Sequence, residues 1–301
     1  MITINLYPIL AIAHFMIIIA QLIFNALATT WWDEGGKLFP KSVYNVTNEY
    51  ILKGVPEDWF SPLWIFIYSW KVTWSVYTVI NLCRSSGLGD GYRMYEDPPF
   101  IPSAFIFQGL VCGVLNVIWL VLYTREKIVA AYVIILVYTI VKINMLGITS
   151  LSMNRFSKEL ADDGRKVDVW IVRFLVIEGV AIHAAWLTIA TILNLSMVIQ
   201  YEWEVLSVYE TTLFSILTVA IMALIWFIID LVFLDRYLRY AITPYIIGFI
   251  YYARVKRNTE YESDVFVINT VFIALLSIFF LVKVIVMSMR SSTRYVYGLN
   301  D

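Results

Sequence analysis

The 301 residues are 60% hydrophobic and 15% charged, with a mean hydropathy of +0.76 and a formal net charge of -1. A soluble domain carries about 25% charged residues, so this balance excludes an ordinary soluble globule and marks a polytopic membrane protein. No Lys/Arg block is present to follow a phosphate backbone, which excludes nucleic acid as the expected partner.

In chain order, apolar runs of the length a bilayer crossing needs, about 20 residues, extend from Leu6 to Thr30, Pro62 to Cys83, Ala104 to Tyr123, Ile128 to Leu151, Trp170 to Tyr201, Thr211 to Leu234 and Val265 to Met287. The first is too long for a signal-peptide core and is read as a span. Leu238 to Ala253 is shorter, carries Pro244 in its middle, and is expected to be an eighth, kinked or tilted span. The connecting segments are mostly short and neither repetitive nor Ser/Gly-rich, so a single membrane domain is expected. Gly87 to Gly91 reads as a flexible turn, with no P-loop lysine after it. A cytosolic N-terminus agrees with a slight Lys/Arg excess on that side. The same orientation places the sequon Asn45-Val46-Thr47 on the opposite face, where Asn45 could carry a glycan and make this a glycoprotein.

Enzymatic chemistry has little to stand on. There is no Ser-His-Asp grouping in workable order, no Gly-rich phosphate loop and no HExxH zinc run, and Cys83 and Cys112 alone build neither a disulfide framework nor a thiolate cage. The chain is expected not to be an enzyme and to hold no metal.

Two sets of side chains carry the functional reading. Trp64, Tyr68, Trp70, Trp74 and Tyr77 share the second span, with Trp70, Trp74 and Tyr77 on one helical stripe; flat π faces suit a flat ligand, and they equally suit an interfacial belt or plain packing. Gln108, Asn116 and Trp119 in the third span, and His183, Trp186, Ala190 and Asn194 in the fifth, fall close to single helical faces. Amides there can bond a ligand or glue helices together. His183 could ligate a haem iron, or be a hydrogen-bonded structural histidine.

Charges inside the spans should not face lipid, because each costs roughly 2.5–3.5 kcal/mol at mid-bilayer on the lenient scale. Lys71, Lys142, Arg173, Glu178, Asp230 and Lys283 are therefore expected to pair or to face water, with Lys71 to Glu178 or to Asp230 as the leading pairs. A proton-coupled secondary carrier would instead use Glu178 and Asp230 as titrating carboxylates.

Asn25-Ala26-Leu27-Ala28-Thr29, Trp59 with Trp64-Ile65-Phe66-Ile67-Tyr68, Trp70, Trp74-Ser75-Val76-Tyr77, Gln108 with Leu115-Asn116-Val117-Ile118-Trp119-Leu120, and Ala185-Trp186 with Ala190-Thr191-Ile192-Leu193-Asn194 follow one another in an order that resembles the TspO/translocator-protein family, the tryptophan-rich sensory proteins. Asp235 to Tyr245 looks like the extension found in enlarged animal relatives. Ser61-Pro62-Leu63 and Lys71 depart from the family pattern, where Phe-Ser-Ile and Gln are usual.

The resemblance implies an all-α transmembrane bundle, with residues 1–203 as a five-helix core and residues 204–301 as a helical extension of about three further spans. It also implies a hydrophobic pocket in the core for a tetrapyrrole- or sterol-like molecule, held by Trp64, Tyr68, Trp70, Trp74, Gln108, Asn116, Trp119, His183, Trp186, Ala190 and Asn194 in a sensor or transporter. Membrane lipids and that small molecule are the expected partners, and self-association into a homo-oligomer is left open. A receptor-like or structural protein, recognising its partner through the loop from Trp31 to Trp59, is the remaining alternative.

Overall fold

The computed structural model describes residues 5–29, 38–52, 60–85, 93–96, 98–258 and 263–297. Trp59, the Gly87 to Gly91 turn and both ends of the first loop lie outside them. Among the described residues every regular element is helical, and extended pairing is limited to an isolated bridge between Ser85 and Arg93. The helices are α1 (Tyr7–Thr29), α2 (Val43–Glu49), α3 (Phe60–Ile80), α4 (Ser103–Tyr123) and α5 (Ile128–Asp162), then α6 (Lys166–Glu202) and α7 (Val208–Phe233), then α8 (Asp235–Leu238), α9 (Thr243–Asn258) and α10 (Ser263–Tyr297).

Six of them, α1, α4, α5, α6, α7 and α10, are long and apolar enough to cross a membrane, which makes the chain a multi-pass membrane protein. This is narrower than the eight spans expected. At 1.5 Å per residue α3 reaches about 31 Å, but Lys71 and its many Trp, Tyr and Ser residues dilute its hydropathy. The expected kinked span over Leu238 to Ala253 is two pieces, α8 and α9, and α9 alone is about 24 Å long against a hydrocarbon core of about 30 Å. Pro244 does not kink a continuous helix. It stands in the first turn of α9, where its missing N–H costs nothing.

Helix ends follow local chemistry. α5 closes with a Schellman motif: Gly164 takes φ 78°, its N–H donates to Ala161 O at 3.2 Å, and Arg165 N–H donates to Leu160 O at 2.8 Å. α7 opens with a capping box in which Ser207 and Glu210 bond each other's backbone N–H at 2.8 and 3.3 Å.

α1 packs on α3 and α4, α4 on α5, α5 on α6, and α6 returns to α3, so these five helices close a ring of neighbours. The approach of α1 to α4 is allowed by Gly109 and Gly113, one turn apart, where an added Cβ would overlap the His14 ring and Ile17 respectively. α7, α9 and α10 pack on one another outside the ring, with α7 and α9 against α6. α6 is consequently surrounded: 83% of its apolar stretch is buried, against 17% for α7 and for α10. α6 also widens twice into π-helix, at Val172–Ile177 and Val198–Glu202, and α7 does so at Ile229–Phe233.

Candidate functional site

The residues inside the ring sort into an aromatic layer and an amide layer, joined along one face of α6. In the aromatic layer Trp64 of α3 stacks on Tyr68 at 5.5 Å between ring centroids and meets Trp186 edge-on at 5.9 Å and His183 at 6.3 Å. His183 is also met edge-on by Tyr68 and by Tyr138 of α5, and its Nε2 lies 3.3 Å from the Tyr138 hydroxyl. Its Nδ1 is buried with no hydrogen-bond partner.

The amide layer lies about 12 Å further along α6, two turns beyond Trp186. Trp119 Nε1 donates to Asn194 Oδ1 at 3.3 Å, while Asn194 Nδ2 is tied to Ala190 O at 2.8 Å. Ala190 sits between Trp186 and Asn194 on the same face and is buried. Asn116, fully buried on α4, lies between the two layers: it accepts from Tyr68 OH at 3.2 Å and from Asn25 Nδ2 at 2.9 Å, leaving its own Nδ2 unpartnered. Trp64, Trp119, Trp186 and Asn194 therefore converge from three helices.

Three expected pocket residues go elsewhere. Trp70 donates from Nε1 to Leu175 O at 2.9 Å, across the first π segment of α6, and its ring covers Gly179. Trp74 stacks on His14 at 4.8 Å and tilts against Phe105, in a second core cluster away from Trp64 and Trp186. Gln108, one residue before the glycine that holds His14, is only partly buried and its Oε1 lacks a partner. The stripe of Trp70, Trp74 and Tyr77 thus faces this second cluster, where Tyr77 OH bonds Asp168 at 2.9 Å beside the Arg84–Asp168 ion pair.

The expected charge pairs are not formed. Glu178 receives the backbone N–H groups of Ile242 at 2.9 Å and Thr243 at 3.1 Å, and the Thr243 hydroxyl at 2.6 Å. It thereby caps the N-terminus of α9, whose first N–H groups have no intrahelical acceptor. Asp230, in the π segment of α7, pairs with Lys283 of α10 at 2.7 Å and accepts from Tyr245 OH at 2.7 Å; both charged side chains are fully buried. Lys71 instead donates to Gln21 Oε1 and lies 5.3 Å from the centre of the Tyr68 ring. Lys142 has only the Met145 sulfur at 3.6 Å.

Sequence reasoning gave no site role to His14 and Gln21, which are fully buried, or to Asn25, which bonds Asn116; Gln21 also donates to Cys112 O and Gly113 O at 3.4 and 3.3 Å. Their spacing of seven and then four residues puts them on one face of α1, which is the signal that could have found them. Among the described residues no group of three His, Cys, Asp or Glu side chains could hold a metal ion. Asn45 is exposed on α2, with Thr47 held by Val43 O and the Tyr123 hydroxyl. Searches against protein-family models, curated proteins and solved structures found no match.

Proposed function

We propose that this membrane protein binds a flat apolar or amphipathic small molecule, tetrapyrrole- or sterol-like, within the ring formed by α1, α3, α4, α5 and α6, and serves as a sensor or transporter of it. The reading takes up the resemblance to the TspO/translocator-protein family. One observation carries it: Trp64, Trp119, Trp186 and Asn194 converge along one face of the most enclosed helix, next to buried polar atoms of Asn116 and His183 that have no partner. Large aromatic surfaces supply contact area, and a few fixed polar groups orient what they hold. The carrier reading loses support, because Glu178 caps α9 and Asp230 is bonded to Lys283.

Native mass spectrometry on protein purified from its own membrane tests the proposal. An adduct of one defined mass, surviving detergent exchange and lost in Trp186→Ala, is the expected result. Protein that carries only bulk lipid, in both forms alike, overturns it and leaves a structural or receptor-like role.

A further inference from the structure

Lys71 and Lys142 are each enclosed by the ring, 2% and 1% exposed: Lys71 lies over the Tyr68 ring, which meets His183 edge-on, and Lys142 lies one turn along α5 from Tyr138, whose hydroxyl is 3.3 Å from His183 Nε2. Among the described residues neither forms an ion pair. The carboxylates on the neighbouring helices are committed elsewhere: Glu178 to α9, Asp168 to Arg84 and Tyr77, Asp230 to Lys283. What surrounds the two lysines is an amide oxygen, a thioether, the Tyr68 ring, the buried Cys112 thiol, and two histidines. A thioether is a weak acceptor, and both His14 ring nitrogens and His183 Nδ1 have no partner. Two like-charged ammonium groups enclosed together without an anion are expensive, since each loses water and repels the other.

We propose that the ligand supplies the missing charge: the ring holds an apolar molecule that carries an ionised carboxylate, placed between Lys71 and Lys142. This rests on the ligand-binding reading and names the chemistry of that ligand. Tyr68 connects the two halves of the site. Its ring lies 5.3 Å from Lys71 Nζ and stacks on Trp64 at 5.5 Å, so an anionic head at the lysines continues into an apolar body against Trp64 and Trp186. Charge-assisted hydrogen bonds from two ammonium groups to one carboxylate are the stronger kind, and they strengthen further where water is excluded.

The same carboxylate chemistry is available on a fatty acid or on the propionate arm of a tetrapyrrole, so the test uses both. Tryptophan fluorescence of the full chain in nanodiscs is titrated with oleate and methyl oleate, and with protoporphyrin IX and its dimethyl ester. In at least one pair the free acid binds tenfold or more tighter than its ester, and the member that does so identifies the source. In Lys142→Met and Lys71→Met that preference falls towards unity while ester affinity is kept, which also reports an intact fold. Equal affinity for acid and ester in the unmodified protein, or a preference that survives in Lys142→Met, overturns the anion proposal and leaves the ligand-binding reading standing. Binding of none of the four ligands overturns both readings.

Discussion

The Glu178 carboxylate reaches from the middle of α6 to Thr243, receiving its backbone N–H at 3.1 Å and its hydroxyl at 2.6 Å, and so fastens the start of α9 to the ring. A side chain that looks from the sequence like a titrating intramembrane acid is used as a helix cap. Hydrogen bonds to a charged group contribute roughly 1.5–3 kcal/mol each. Glu178→Ala, which strips three of them, is expected to lower thermal stability by several kcal/mol and to raise proteolysis around 239–258, with Thr243→Val showing a smaller loss. Glu178→Ala with unchanged stability would remove the capping role.

The buried pair of Asp230 and Lys283 joins α7 to α10, and the lysine also donates to Leu238 O at 3.0 Å. Removing one partner of a buried pair strands the other charge and costs about 3–5 kcal/mol, whereas replacing both with apolar side chains is often neutral. Asp230→Leu and Lys283→Met are each expected to destabilise strongly, and the double variant to recover most of the loss in thermal unfolding. A double variant no better than the worse single one would mean that the Tyr245 and Leu238 contacts, rather than the ion pair, hold the joint.

The helices were legible because apolar runs of this length have one stable form in a bilayer, where every backbone group must be satisfied within its own segment. The partners of the charges were not. What each charge meets depends on how α9 starts against α6, for Glu178, and on how α10 lies against α7, for Asp230 and Lys283, neither of which leaves a periodic mark. Trp64, Trp119, Trp186 and Asn194 were grouped through the resemblance, because helical spacing relates residues only within one span. Trp70 and Trp74 were misplaced because spacing fixes a stripe and not the neighbour it faces. The Gly109-x-x-x-Gly113 pattern was present in the sequence and unread, though it sets the α1–α4 approach.

That approach gives a sharp contrast between glycines. A methyl group at Gly109 would overlap the His14 ring, while at Gly147 it meets nothing within 4 Å. Overpacking of this kind costs about 1–3 kcal/mol, and Ala in an exposed helix interior gains roughly 0.5–1 kcal/mol over Gly. Gly109→Ala is expected to lower the thermal midpoint and Gly147→Ala to hold or raise it. Equal responses in the two would show that α1 and α4 can separate without penalty.

Asp235 gives a pH dependence outside the spans. Burial pushes its carboxyl upward, but hydrogen bonds from Arg290 and Arg239, both at 2.8 Å, hold it below the ordinary 3.8. Its folded pKa is depressed, so the stabilisation is fully present above 3.8 and is lost as pH falls through the lower folded value. Between about pH 6 and about pH 3, thermal stability should fall more steeply in the unmodified protein than in Asp235→Asn. Parallel curves would mean that the tether between α8 and α10 has no net effect.

The ligand reading predicts that its aromatic and amide residues fail in different ways. Trp64 and Trp186 meet edge-on at 5.9 Å, so a bound ring must replace contacts that each makes with the other. Trp64→Ala and Trp186→Ala are each expected to weaken porphyrin or sterol binding by roughly 1–3 kcal/mol, the scale of a large buried aromatic contact. Asn194→Leu keeps the apolar volume but removes the acceptor of the Trp119 indole N–H. Its effect should therefore depend on the ligand: small for one without polar groups near that end, and larger for one that bonds the freed indole or the lost amide. Quenching of tryptophan fluorescence by a porphyrin, titrated in the three variants with a sterol as competitor, separates these outcomes. Unchanged affinity in all three would make the convergence of Trp64, Trp119, Trp186 and Asn194 core packing, and a structural or receptor-like role would then be the better account.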